Sequence, residues 1–162
     1  MKLSVFKAGV GVANLRIGMT IADVKKILGN EESIYPAPNE FDKDVDDEHF
    51  LCWRSKGIEV GFDALDENGA PTDKSRVVSI HVKGRKIIDD TGASVNAAMI
   101  GKAHGSPDSH DGYGQAEKRR TWSYYDTGLQ ATYDKDGWLV SLCVAKVKEA
   151  SKAAKAAPKG AR

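Results

Sequence analysis

Asp42-Lys43-Asp44-Val45-Asp46-Asp47-Glu48 is the densest concentration of reactive side chains in the chain, and Glu40 extends it. Carboxylates at the first, third and fifth places suggest a calcium loop. Its sixth place should then be glycine and its twelfth glutamate, where this chain has Asp47 and Trp53. The segment also feeds a strand rather than a helix. Two readings remain: a solvated acidic loop, or a recognition loop that docks into a basic cleft. Clustered carboxylates steer association with a cationic partner, and that steering weakens with salt.

The histidines, His49, His81, His104 and His110, form no recognisable metal-ligand set, and His104 and His110 straddle the turn residues Gly105-Ser106-Pro107. No metal is expected. Cys143 and His81 hold matching places in two similar stretches and could meet as a thiol–imidazole pair. No oxyanion or orienting motif accompanies them, so no catalytic residue is expected; histidines without a chemical role are the competing account. Gly9-Val10-Gly11 lacks the third glycine and the strand–loop–helix setting of a dinucleotide loop. No cofactor is expected.

The elements that must position these groups come as one pattern used twice. Leu51-Cys52-Trp53-Arg54-Ser55-Lys56-Gly57-Ile58-Glu59-Val60-Gly61-Phe62-Asp63, with Val77 to Val82, returns as Trp122 to Asp134 with Leu139 to Val144. Thr20 and Asp23 open a helix as a capping box, Ile21, Val24, Ile27 and Leu28 repeat at helical spacing, and Gly29 stops it. Gly92-Ala93-Ser94-Val95 aligns with Gly18-Met19-Thr20-Ile21 and opens a second, poorer helix ending at Gly105. Ile58, Val60 and Phe62 alternate with polar or small residues, as do Leu129, Ala131 and Tyr133, the signature of strands with one buried face. Polar connections are expected at 30–49 and 106–118, each leading to a three-stranded meander. The fold predicted is α+β: two helix–β-meander repeats forming one continuous antiparallel sheet with helices on one face. The repeats span 1–84, which includes an entry strand or hairpin, and 85–145; the Ala/Lys-rich 146–162 is a tail.

Alternation then sorts the side chains. Ile58, Val60, Phe62, Val78, Ile80 and Val82 should face the helices with Leu51, Trp53, Trp122 and Tyr124. Glu59, Ser79, His81, Gln130, Thr132, Ser141 and Cys143 should face away, and Arg54 and Tyr125 point out. That face is either a plain solvated surface or a binding platform, rimmed by Tyr113, Tyr125 and Trp138. Candidate partner-binding residues are therefore Glu40, Asp42, Asp44, Asp46, Asp47, Glu48, Arg54, Glu59, His81, Tyr113, Tyr125, Gln130 and Trp138.

Composition sets the setting. The 162 residues suffice for a sizeable core. No apolar run of 18 residues offers a membrane span, and Met1 to Lys7 lacks the apolar core of a signal peptide. Two non-equivalent cysteines, Cys52 and Cys143, fit reduced thiols in a cytoplasmic protein. Setting aside the six basic residues and Glu149 of 146–162, the chain's 24 Lys/Arg and 23 Asp/Glu become 18 against 22. An acidic body whose basic tail lacks interleaved aromatics argues against a nucleic-acid partner.

The Gly-Met-Thr helix start, the Leu-Gly helix stop, and strands of the type Gly-Ile-x-Val-x-Phe-Asp followed by Val-Val-Ser-Ile resemble the tandem repeats of the β-lactamase inhibitory protein family. The small outer-membrane assembly lipoproteins are similar. The resemblance covers about residues 15–145 and implies one curved sheet and binding of other proteins rather than catalysis. Lacking a signal peptide, a lipid-accepting cysteine and repeat disulfides, this chain is expected to be a cytoplasmic protein-binding module. Such a module could be an inhibitor or an immunity protein whose partner, a toxin or effector, has a basic cleft. The alternative is a small-ligand or envelope-associated assembly or stress domain using the open sheet face.

Overall fold

The computed structural model describes residues 6–7, 9–12, 14–35, 49–83, 87, 93–113 and 119–147. Three short strands, β1 (Phe6–Lys7), β2 (Gly11–Val12) and β3 (Leu15–Arg16), form a small antiparallel sheet of their own. Helix α1 (Ile21–Leu28) leads to β4 (Ser33–Tyr35), β5 (His49–Trp53), β6 (Ile58–Phe62) and β7 (Val77–Lys83). Helix α2 (Ala97–His104) leads to β8 (Ser109–Tyr113), β9 (Arg119–Tyr124), β10 (Leu129–Asp134) and β11 (Leu139–Ala145). Strands β4 to β11 make one eight-stranded antiparallel sheet in the order β4-β5-β6-β7-β11-β10-β9-β8. The fold is therefore α+β, with an antiparallel sheet and two helices. Among the described residues no helix is long and apolar enough to cross a membrane.

Cross-strand register explains the core. Leu51, Val60, Ile80, Val144, Leu129 and Tyr124 stand side by side across six strands, and every one is buried. The neighbouring inward row runs Trp53, Ile58, Val82, Leu142, Ala131, Trp122. Val24 and Leu28 of α1 and Ile100 of α2 join the same cluster, as do Val12 and Leu15. At each helix end an aromatic of the inner face reaches the terminal carbonyl: Trp53 Nε1 donates to Gly29 O at 3.1 Å, and Tyr124 OH to Gly105 O at 3.4 Å. A helix leaves its last carbonyls without partners, so these bonds fix α1 and α2 against the sheet.

Four features depart from the reading of the sequence. Strands β4 and β8 lie inside segments read as polar connections, so four strands flank each side of the β7–β11 seam. Their residues carry little apolar alternation because edge strands need little burial. Second, Val77 and not Val78 enters the core. Register shifts between Gly61 and Phe62, so Val78 is the extra residue of a bulge; Val140 is likewise extra opposite Thr132 and Tyr133. Third, the second helix is capped by Asn96, two residues later than Ser94, with Asn96 accepting from Met99 N at 3.0 Å. Residues 94–96 are held extended instead: Leu139 N donates to Val95 O at 3.0 Å, and Asn96 bridges to Trp138. Fourth, the entry segment makes a separate sheet. The capping box of α1 is present as expected, Asp23 N donating to Thr20 Oγ1 and Thr20 N to Asp23 Oδ2.

Candidate functional site

The face away from the helices carries one polar row across all eight strands: Ser33, Cys52, Glu59, His81, Cys143, Gln130, Ser123, Ser109. Alternation with the buried rows forces these residues onto one side, so the sequence pattern alone builds the row. Gln130 Nε2 donates to Ser123 Oγ at 3.1 Å, and Glu59 pairs with Lys83 at 2.7 Å. Among the described residues no three His, Cys, Asp or Glu side chains converge as metal ligands. The geometry gives the reason: groups spaced along a straight row cannot surround one ion.

His81 and Cys143 occupy the middle of the row, at the seam between β7 and β11. Cys143 Sγ lies 3.4 Å from His81 Nε2. Burial pushes the His81 imidazole below its ordinary range, while the Glu59 carboxylate pulls it upward and Lys83 adds to the lowering. A neutral ring follows at neutral pH, and which of the thiol and Nε2 donates is set by the ring tautomer. Phe50 stands edge-on to His81 with ring centroids 5.0 Å apart. A Cβ on Gly61 would collide with Ser79 Oγ and crowd Phe50, so glycine there is what admits the ring and the hydroxyl together. Ser79 Oγ is buried without a hydrogen-bond partner among the described residues. Cys52 sits in the same row, 1% exposed, its thiol pushed up by burial and by Glu59. Both cysteines are thiols, and three strand spacings, about 14 Å, separate them, well beyond the roughly 7 Å that a disulfide spans.

The remaining predicted residues divide by place. Glu59, His81 and Gln130 are brought together in the row. Arg54 and Tyr125 are exposed at the ends of β5 and β9, Tyr125 to 64%, where its hydroxyl lies 2.9 Å from Ser109 Oγ and its N–H donates to Asp108 Oδ2. Glu40, Asp42, Asp44, Asp46, Asp47 and Glu48 lie outside the described residues. Tyr113 ends β8, and its side chain is likewise outside them. Trp138 belongs elsewhere: 47% exposed, it walls a cavity of about 330 Å³ between the β10–β11 turn and residues 94–95. Ile87, Val95 and Leu139 also line this cavity, together with Asp134 and Asp136. Phe50 and the cavity were not singled out in the sequence. The parity of Phe50 with Cys52 was a signal for the first, and the tight Asp134-Lys135-Asp136-Gly137 turn beside a tryptophan for the second.

No protein-family model matches the chain, and no curated protein sequence matches it. Among solved structures, a DUF4309 family protein from Bacillus subtilis is similar at 17% identity and a TM-score of 0.46, covering 86% of this chain and 88% of that one. A cysteine-rich secretory protein from Staphylococcus aureus is similar at 13% identity and a TM-score of 0.44; the match covers 80% of this chain and 43% of that protein's.

Proposed function

We propose that the chain is a non-catalytic protein-recognition module built from two copies of one helix–β-meander unit, and that it presents the polar face of its sheet to a partner. The observation that carries this reading is the unbroken row from Ser33 to Ser109, which is a broad face rather than a cleft. The thiol–imidazole pair at its centre has the reach for proton transfer. Acyl chemistry would further need donors aimed at a developing oxyanion. Backbone amides beside His81 and Cys143 lie in the plane of the β6–β7–β11 ladders, so they do not project towards a substrate above the face. Recognition uses the face directly: the exposed Gln130 amide and the partly exposed Glu59 carboxylate are hydrogen-bonding groups for a complementary surface.

The copy relation is supported by matched hydrogen bonds. Lys83 N donates to Gly57 O and Ala145 N to Gly128 O, each at 2.7 Å, with both glycines at φ 65°. Val77 N donates to Met19 O as Leu139 N does to Val95 O. Within this class, an inhibitor or immunity protein of the cytoplasm, resembling the β-lactamase inhibitory protein family in build, is the specific form we favour. Titration calorimetry against the product of the adjacent gene tests it. Binding should fall at least tenfold when Gln130→Ala and Tyr125→Ala are combined; unchanged binding would remove the face from the interaction. The cavity beside Trp138 favours a second reading, a small-ligand domain, for which a ligand-induced rise in Tm is the sign.

A further inference from the structure

The two ends of the β6–β7 and β10–β11 pairs are closed by the same device with different contents. Asp63 N donates to Arg76 O at 3.0 Å and Asp63 Oδ1 accepts from Arg76 N at 2.8 Å. Asp134 N donates to Trp138 O at 2.9 Å and Asp134 Oδ1 accepts from Trp138 N at 3.0 Å. Arg76 and Trp138 therefore hold corresponding places, each just before the last strand of its half. In the first half, loop residues 64–75 run between Asp63 and Arg76 and cover their own corner. Leu65 packs on the core, Ser75 is fully buried with its Oγ donating to Ala64 O at 2.9 Å, and Arg76 supplies a cation beside the loop carbonyls of Asp73 and Ser75. In the second half the turn is short, no described residue covers the corner in this way, and the cavity of about 330 Å³ stands there.

Resting on the protein-recognition reading, we propose that this cavity is an anchor pocket for an arginine side chain of the partner. Three properties of the pocket select that chemistry. Its floor is apolar, formed by the buried Ile87, Val95 and Leu139, which suits an alkyl stem. Trp138 is half exposed, so its indole face is available for a guanidinium to stack on. Asp134 and Asp136 supply the counter-charge. Asp134 spends Oδ1 on the amides of Asp136 and Trp138, which hold its carboxylate in place while Oδ2 carries no hydrogen bond among the described residues. Among the described residues Asp136 pairs with the exposed Lys135, at 2.9 Å, a surface contact that a better-placed cation displaces. What loop 64–76 supplies to the first corner, a leucine stem and a guanidinium, one arginine supplies to the second.

The test uses the full chain and nitrogen-15-resolved NMR. N-acetyl-arginine amide is the probe, with N-acetyl-norleucine amide as the uncharged control and agmatine as the free small-molecule cation. The expected result is a saturable shift, in the millimolar range of a single side chain, confined to the Trp138 indole and to the amides of 94–96 and 134–139. It should be lost in Trp138→Ala and weakened severalfold in Asp136→Asn, neither of which alters the Asp134 clamp. No saturable shift, or an equal response to the norleucine control, overturns the proposal. Binding of agmatine without binding of the arginine amide also overturns it, in favour of a free amine as occupant. A partner that binds Trp138→Ala as well as wild type sinks the anchor alone; one indifferent to Tyr125→Ala with Gln130→Ala sinks the recognition face instead.

Discussion

The first half of the sheet and its helix are sealed, and the second half is left open. Helix α1 has a reciprocal capping box, α2 a single Asn96 cap. The clamp on the end of α1 is a fully buried tryptophan at 3.1 Å, that on α2 a tyrosine at 3.4 Å. One corner is covered by a folded loop and the other is a cavity. The polar row follows suit: Cys52, Glu59 and His81 are sheltered or paired on one side, while Gln130 is exposed on the other. Among the described residues the first half holds more of the capped and covered contacts, and the second more of the exposed ones.

The largest test of that division is at the clamps. Trp53→Ala should cost about 3–5 kcal/mol and Tyr124→Ala measurably less, read from urea unfolding; equal losses would break the comparison. Next, Leu65→Ala should cost roughly 1–2 kcal/mol, whereas Trp138→Ala should stay within about 0.5 kcal/mol. A large loss at Trp138 would make its corner structural rather than open. At the caps, Thr20→Ala should cost about 1–2 kcal/mol because it removes the hydroxyl that both accepts from Asp23 N and donates to Asp23 Oδ2, and Asn96→Ala about 1 kcal/mol.

The smallest effect is in pH. Burial lowers the titration of His81 and, in the second half, of His104 below their usual 6.5. The unfolded chain thus takes up protons first, and stability present above pH 6.5 is lost as pH falls below it. Glu31 and Glu32 are held below their usual 4.5, by Lys25 and by Ser55 respectively, so the stability they add is present above pH 4.5 and is lost only at more acid pH. Urea midpoints between pH 6.5 and 4.5 should fall less steeply in His81→Gln than in wild type. An unchanged slope would place His81 in contact with bulk water.

The fold was legible where side-chain type fixes backbone state. Thr20, Asp23 and Gly29 bounded α1, and the alternation from Ile58 to Phe62 and from Leu129 to Tyr133 placed the buried and polar rows. It was illegible where pairing, not composition, decides. Ser33-Ile34-Tyr35 and Ser109 to Tyr113 become strands only because a neighbour supplies the hydrogen bonds. Val77 displaces Val78 because the bulge reverses parity, and Asn96 caps α2 because Val95 is held by Leu139. Of the site, Glu59, His81 and Gln130 were readable from parity. The cavity was not, since it depends on the contrast between a loop and a turn far apart in the chain.

The β7–β11 seam has a consequence for how the chain is made. Strand β7 emerges early in synthesis and pairs at once with β6, but its other flank waits for β11. At ribosomal speeds that wait is on the order of several seconds. Throughout it, Val77 to Lys83 is a bare, mostly apolar ledge of the kind that captures other nascent chains, with Lys83 as its one protective charge. A premature stop before Leu139 would make that exposure permanent and send the product towards aggregates.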